Sequence, residues 1–206
     1  MNKQSDDDFI DGIIMGTTKG IVARKVTSSL YEFYLSGEIT TPNDYIEWFN
    51  TIRHAQEEDT IKIYINSGGG DLFTGIQFLR VLAETEALVI VSVEGLCASA
   101  ATLVFLSADV FEVTPHSSFL FHNYSSGVWG KGGEQFAQVT HERKWSEQLL
   151  NSVYEDFLSQ EEIKSLLDNR DIWLSTDEVV ERMNKRIATR KELAELEEQT
   201  KPGSIA

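Results

Sequence analysis

The segment Leu88-Val89-Ile90-Val91-Ser92-Val93 is apolar at both parities of a strand rather than at alternate positions. A strand written this way has little to show to water on either side, and such runs belong to mostly parallel sheets covered on both faces. Parallel neighbours cannot be joined by a hairpin; each pair needs a crossover, usually a helix. The rest of the chain supplies strands and crossovers in turn. Tyr31–Leu35, Ile61–Ile65, Val110–Val113 and Ser118–Phe121 read as further strands. Between them, 42–56 carries Tyr45, Ile46, Phe49 and Ile52 at helical spacing, and 72–83 carries Phe73, Ile76 and Leu79 with Val81 or Leu82. Residues 98–106 read as a buried helix. This alternation predicts an α/β fold with a mostly parallel sheet and right-handed crossovers.

A length of 206 residues and only 3 prolines, with no internal repeat or evident linker, fit one domain over 1–206. The polar ends, about 1–8 and 197–206, lack a periodic apolar face and are expected to be disordered. A net charge of -15 would repel nucleic acid phosphates, so no nucleic acid partner is expected. The single cysteine, Cys97, excludes an intrachain disulfide and any multi-cysteine metal site, and reads as a buried structural thiol. The acidic N-terminus has no apolar signal core, and no apolar run reaches the length of a membrane span. A soluble, cytoplasmic chain is the expectation.

In sheets of this kind, sites form where strands give way to helices. Two junctions stand out. Asn66-Ser67-Gly68-Gly69-Gly70 joins a strand to a helix, and its glycines permit a sharp turn that brings bare N–H groups against a ligand. It lacks the lysine of a phosphate-binding loop and the spacing of a dinucleotide fingerprint. Gly95-Leu96-Cys97-Ala98-Ser99-Ala100-Ala101 sets a serine among small residues at a second strand-to-helix turn, either as a helix cap or as a presented hydroxyl. A nucleophilic serine needs a base. Of four histidines, His54 and His141 lie in polar helical segments and His116 in a Pro-His-Ser turn, whereas His122 ends the apolar run Phe119-Leu120-Phe121. Among 33 acidic residues, Asp171 directly precedes Ile172-Trp173-Leu174, neighbours that pull it toward the core.

Taken together, these segments resemble the Clp protease proteolytic subunit family, ClpP. Tyr64-Ile65-Asn66-Ser67-Gly68-Gly69-Gly70 is similar to the family's Tyr-Ile-Asn-Ser-Pro-Gly-Gly, with Gly68 in place of proline, and Gly75 matches a glycine of the next helix. Cys97-Ala98-Ser99-Ala100-Ala101 matches the segment around the nucleophile, Phe121-His122-Asn123 the family's Ile-His-Gln, and Arg170-Asp171 through Ser175 its Arg-Asp run. The likeness covers roughly Tyr31 to Val180, with the motifs in the family's order.

The resemblance implies a ClpP/crotonase-like fold of repeated β-β-α units with a mostly parallel sheet and a protruding handle helix, placed at about Glu134–Leu158. It implies a serine endopeptidase with Ser99 as nucleophile, His122 as base, Asp171 as orienting carboxylate, and an oxyanion hole from the N–H groups of Gly70 and Ala100. Gly69, Gly127 and Gly130 would line the path of a substrate strand. It implies no metal or cofactor, a peptide or unfolded protein as substrate, a homo-oligomer of stacked rings, and an ATP-dependent unfoldase as partner. Two other readings stand beside it: a ring subunit without catalytic activity, and a crotonase-like enzyme acting on acyl-thioesters. The chain departs from the family pattern at Gly68, Ala100, Ala101, Asn169 and Arg182-Met183-Asn184.

Overall fold

Three long strands carry the architecture of the computed structural model, which describes residues 27–200. They are β1 (Leu30–Ile39), β2 (Thr60–Gly70) and β3 (Leu88–Ala98), linked by α1 (Ile46–His54) and α2 (Leu72–Glu84). A 3-10 turn over Pro42–Tyr45 leads into α1, with the proline in its first turn, where a missing N–H costs nothing. From β3 the chain enters α3 (Ala100–Phe105), then β4 (Val110–Val113), β5 (Ser118–Phe121), α4 (Gly132–Tyr154), α5 (Gln160–Leu167), β6 (Ile172–Ser175) and α6 (Thr176–Thr200). The sheet order is β1-β2-β3-β5-β6, and β4 also pairs with β3. Every pairing is parallel except β5 with β6. The fold is the α/β arrangement with a mostly parallel sheet that the alternating pattern predicts.

The strands run further than their apolar cores. β1, β2 and β3 continue past Leu35, Ile65 and Val93, and the ladders slip between Ser36 and Glu38 and between Ile65 and Ser67. Side chains supply bonds at the slips. Asn66 Oδ1 accepts from the Leu96 N–H at 3.1 Å, and Ser67 Oγ donates to the Gly37 carbonyl at 2.5 Å while accepting from the Gly69 N–H at 3.1 Å. The Asn-Ser-Gly-Gly-Gly run is therefore strand rather than loop. Its polar side chains do work that backbone groups do elsewhere in a ladder.

One face of the sheet is dry. Ile61, Ile63 and Ile65 of β2 and Val89, Val91 and Val93 of β3 are buried on it beneath α1, α2 and α3. Phe78 of α2 packs edge-on to Tyr45, Trp48 and Phe49. The opposite face contradicts the expectation of full cover. Leu30, Tyr34, Leu88 and Val110 are each more than two-fifths exposed, and Tyr34 stacks on Tyr64 at the surface. The described residues do not cover the outer face, although its strand residues there are apolar enough to be covered.

Other boundaries differ in detail. The buried helix expected over 98–106 begins at Ala100, because Cys97 and Ala98 finish β3. The long helix ends at Tyr154, and Phe157 and Leu158 are buried in the turn that follows. α6 extends to Thr200, past the position where a disordered end is expected, on a run of strong helix formers. The expectations for residues 1–8 and 201–206 lie outside the described residues.

Candidate active site

Ser99 occupies the turn from β3 into α3 with φ 55° and ψ -129°. A side chain at positive φ in this sparsely populated region costs on the order of 1–3 kcal/mol and persists only where neighbours over-determine it. Here they do. The Ser99 N–H donates to the Leu120 carbonyl of β5 at 2.9 Å, and its carbonyl accepts from the Thr102 N–H at 2.9 Å and Thr102 Oγ1 at 2.6 Å. With the Thr102 proton used there, the buried Tyr154 hydroxyl donates to Thr102 Oγ1 at 2.8 Å. A chain of hydrogen bonds thus fastens the serine turn to the C-terminal end of α4. Burial pushes the Tyr154 hydroxyl up to about 12.

Gly69 lies directly against this turn. A Cβ on Gly69 would come within 2.6 Å of both Ser99 Cβ and the Ala98 carbonyl oxygen, and within 2.9 Å of the Ala100 nitrogen; its φ is 88°. Only glycine satisfies both the conformation and the space. Gly70, at φ 149°, is equally constrained by the backbone of Ile39. The two sequence junctions are therefore one place in the fold.

His122 follows the last residue of β5 and is half-buried. Asp171 precedes the first residue of β6 and is exposed. The antiparallel register pairs Ser118 with Ser175 and ends with Phe121 opposite Ile172. Continued by one rung, it sets the backbone of His122 opposite that of Asp171. Asn169 delivers this end of β6: at φ 59° it closes α5, with its N–H bonded to the Leu166 carbonyl and the Arg170 N–H to the Ser165 carbonyl. That paired pattern is a Schellman cap, a position asparagine tolerates. No hydrogen bond or ion pair among the described residues joins the side chains of Ser99, His122 and Asp171.

A cavity of about 760 Å³ opens beside Ser99. Gly70, Ser99, Ala100 and His122 line it, with Leu103 and Leu149 among its apolar walls. Asp171, Gly69, Gly127 and Gly130 are not in its lining. Gly127 and Gly130 are exposed in the segment between β5 and α4, which has no strand partner among the described residues. Cys97 is fully buried behind the site, where desolvation pushes its thiol up and removes it as a nucleophile.

Several cavity residues escape a reading of the sequence. His141 is exposed, as its polar segment suggests, yet it lines the cavity together with Tyr124, Glu142 and Trp145. The spacing of Glu142 and Trp145 is that of one helical turn and was available as a signal; the return of α4 over the β3–α3 turn was not. Among the described residues, no group of three or more His, Cys, Asp or Glu is placed to hold a metal ion, and no helix is long and apolar enough to cross a membrane.

The profile of the Clp protease family matches residues 30–182. An ATP-dependent Clp protease proteolytic subunit 2 from Treponema denticola is 26% identical over 198 residues, which cover 94% of each chain. A protein of the same description from Pseudomonas aeruginosa is 27% identical over 141 residues, 66% of this chain and 70% of its own. Among solved structures, a mutant ClpP1 from Listeria monocytogenes superposes with a TM-score of 0.58 at 23% identity, covering 73% of this chain and 86% of that one. The last likeness bears on the fold alone, and it agrees with the parallel sheet described above. By the span of the family match and the order of its motifs, this chain belongs to the Clp protease family.

Proposed function

We propose that the chain is a serine endopeptidase whose nucleophile is Ser99. The observation that carries this reading is the strained Ser99 turn, packed on Gly69 and opening on the cavity that His122 also lines. In the proposed cycle His122 takes the Ser99 proton as Oγ attacks the peptide carbonyl carbon. The oxyanion forms against the N–H groups of Gly70 and Ala100. His122 then passes the proton to the departing amine, leaving an acyl-enzyme. Water, giving a proton to His122, attacks the ester; the carboxylic acid leaves and the proton returns to Ser99. Asp171 orients the imidazole from the neighbouring rung of the sheet. Substrate backbone runs past Gly69 and along the segment holding Gly127 and Gly130, as an added strand.

The substrate class is peptide or unfolded protein, and the compartment is the cytoplasm. The working form is a homo-oligomer of stacked rings fed by an ATP-dependent unfoldase. Two exposed apolar regions support assembly: the outer sheet face around Tyr34 and Leu88, and the start of α4, where Phe136 is 76% exposed and Trp129, just before it, 92%. The relatives' description as ATP-dependent supports the unfoldase. Assembly through α4 also has a task at the site, because the three triad side chains share no hydrogen bond within one chain. The same absence favours a second reading, a ring subunit without catalytic activity.

Hydrolysis of an unfolded protein such as casein by the purified oligomer tests the proposal. Ser99→Ala is expected to lower the rate by at least about a thousandfold, and His122→Ala similarly. Hydrolysis that persists in Ser99→Ala would remove Ser99 from the reaction. An inert wild-type oligomer would favour the second reading.

A further inference from the structure

The cavity beside Ser99 holds two carboxylates, Asp71 and Glu142, and no lysine or arginine among the described residues lines it. Asp71 caps α2, its Oδ1 accepting from the Thr74 N–H at 2.7 Å and Thr74 Oγ1 at 2.9 Å. Glu142 has a different set of partners. It accepts from Gln138 Nε2 at 2.7 Å, Ser126 Oγ at 2.9 Å and the Tyr124 hydroxyl at 3.1 Å. All three donors are neutral side chains. They fix the carboxylate in place without neutralising it, and the Gln138 bond first, then Ser126, hold its carboxyl below the ordinary glutamate range, which favours the ionised form. His122 and His141 are the other titratable bases at this cavity.

Aromatic rings surround the same spot. Trp145, one helical turn beyond Glu142, stacks on Phe73 with ring centroids 5.7 Å apart and meets Tyr124 edge-on at 6.1 Å. Phe73 is 67% exposed although it sits at the first turn of α2, beside the glycine run. An ionised carboxylate among aromatic rings, above apolar walls, suits a cation on an aliphatic stem: the charge meets the carboxylate and the π-faces, and the methylenes lie on apolar surface. An acidic side chain would meet two like charges there.

We propose that this cavity takes a basic side chain, lysine or arginine, from the substrate residue on the acyl side of the bond to be cut, with its cation at Glu142. The assignment rests on the peptidase reading for its role in cleavage, but the cavity's preference for a cation does not. Fluorogenic peptides that differ only at that residue test it, with arginine compared against its neutral analogue citrulline. The wild-type oligomer is expected to favour arginine by about tenfold in kcat/KM. Glu142→Gln should bring that ratio to about one, and Glu142→Lys should favour glutamate over glutamine. A wild-type ratio near one, or a ratio that survives Glu142→Gln, overturns the inference while leaving the peptidase reading intact.

If no peptide is cut, benzamidine binding by calorimetry decides. Binding that weakens about tenfold in Glu142→Gln would sustain the cation site while the peptidase reading fails. Failure of the wild type to bind benzamidine, or equal binding by the variant, would overturn the site. A sedimentation profile matching the wild type shows that each variant is folded and assembled.

Discussion

Replacing Gly69 with alanine probes the packing on which the site depends. The added Cβ would stand 2.6 Å from Ser99 Cβ and from the Ala98 carbonyl oxygen, where ordinary contacts begin at 3.4 Å. The deficit of about 0.8 Å falls on backbone and on a Cβ, neither of which can rotate away. Forcing alanine to φ 88° adds roughly 1–2 kcal/mol, and relieving the overlap about 1–3 kcal/mol. The sum, about 2–5 kcal/mol, corresponds to a fall in Tm on the order of 10 °C for a chain of this size. Gly68 is the internal control. A Cβ there meets only Leu96 Cδ2 at an ordinary 3.9 Å, and its φ is not positive. Gly68→Ala should be neutral, or stabilising by up to about 1 kcal/mol. Calorimetric melting of the two variants under matched conditions separates them, and Gly69→Ala should also react more slowly with a serine-directed probe. Tm values for the two variants within about 2 °C of each other would refute the close packing of Gly69 on the serine turn.

Three further predictions concern the frame around the site. Arg186 is 5% exposed, its carboxylate partner Asp156 is shared with Arg190, and its Nη1 has no hydrogen-bond partner among the described residues. Burial, with repulsion from Arg190, lowers its guanidinium to about 10. Asp156→Ala should therefore cost about 2–4 kcal/mol in denaturant unfolding, and Arg190→Ala, at the exposed end, less than about 1 kcal/mol; equal effects would refute the burial argument. Thr102→Val leaves the buried Tyr154 hydroxyl without its acceptor and should cost about 1–3 kcal/mol; an unchanged midpoint would sever the proposed link from α4 to Ser99. The hydrogen bond from Arg182 holds Glu162 below its ordinary 4.5. In acid the unfolded chain takes up that proton first, so the pair's stabilisation is present above about pH 4.5 and is lost as the pH falls through the folded value. Glu162→Gln should flatten this decline in a pH series of melting curves, and a decline as steep as the wild type's would count against the pair.

Much of the fold was legible because its signals are local. The isoleucines of β2 and the valines of β3 announce strands, and the helical spacing of Phe73, Ile76 and Leu79 announces α2. The strand ends were not legible. A glycine run reads as a turn in one dimension, and its role as strand depends on Asn66 and Ser67 reaching Leu96 and Gly37, each 30 residues away. Ser99 and His122 stood out through the turns they occupy, and both line one cavity. Glu142 did not, because it belongs to the cavity only through the return of α4, fixed by Tyr154 on Thr102. The exposed outer face of the sheet was misread for a related reason. Apolar residues at both parities tell that both faces suit cover, but not which elements supply it.

The most direct test of the central claim is intact-mass measurement of the assembled protein after exposure to a fluorophosphonate, with wild type and Ser99→Ala side by side. An activated serine predicts one adduct per wild-type chain and none on Ser99→Ala. An unlabelled wild-type oligomer, or an adduct that survives in Ser99→Ala, would contradict the assignment of Ser99 as nucleophile.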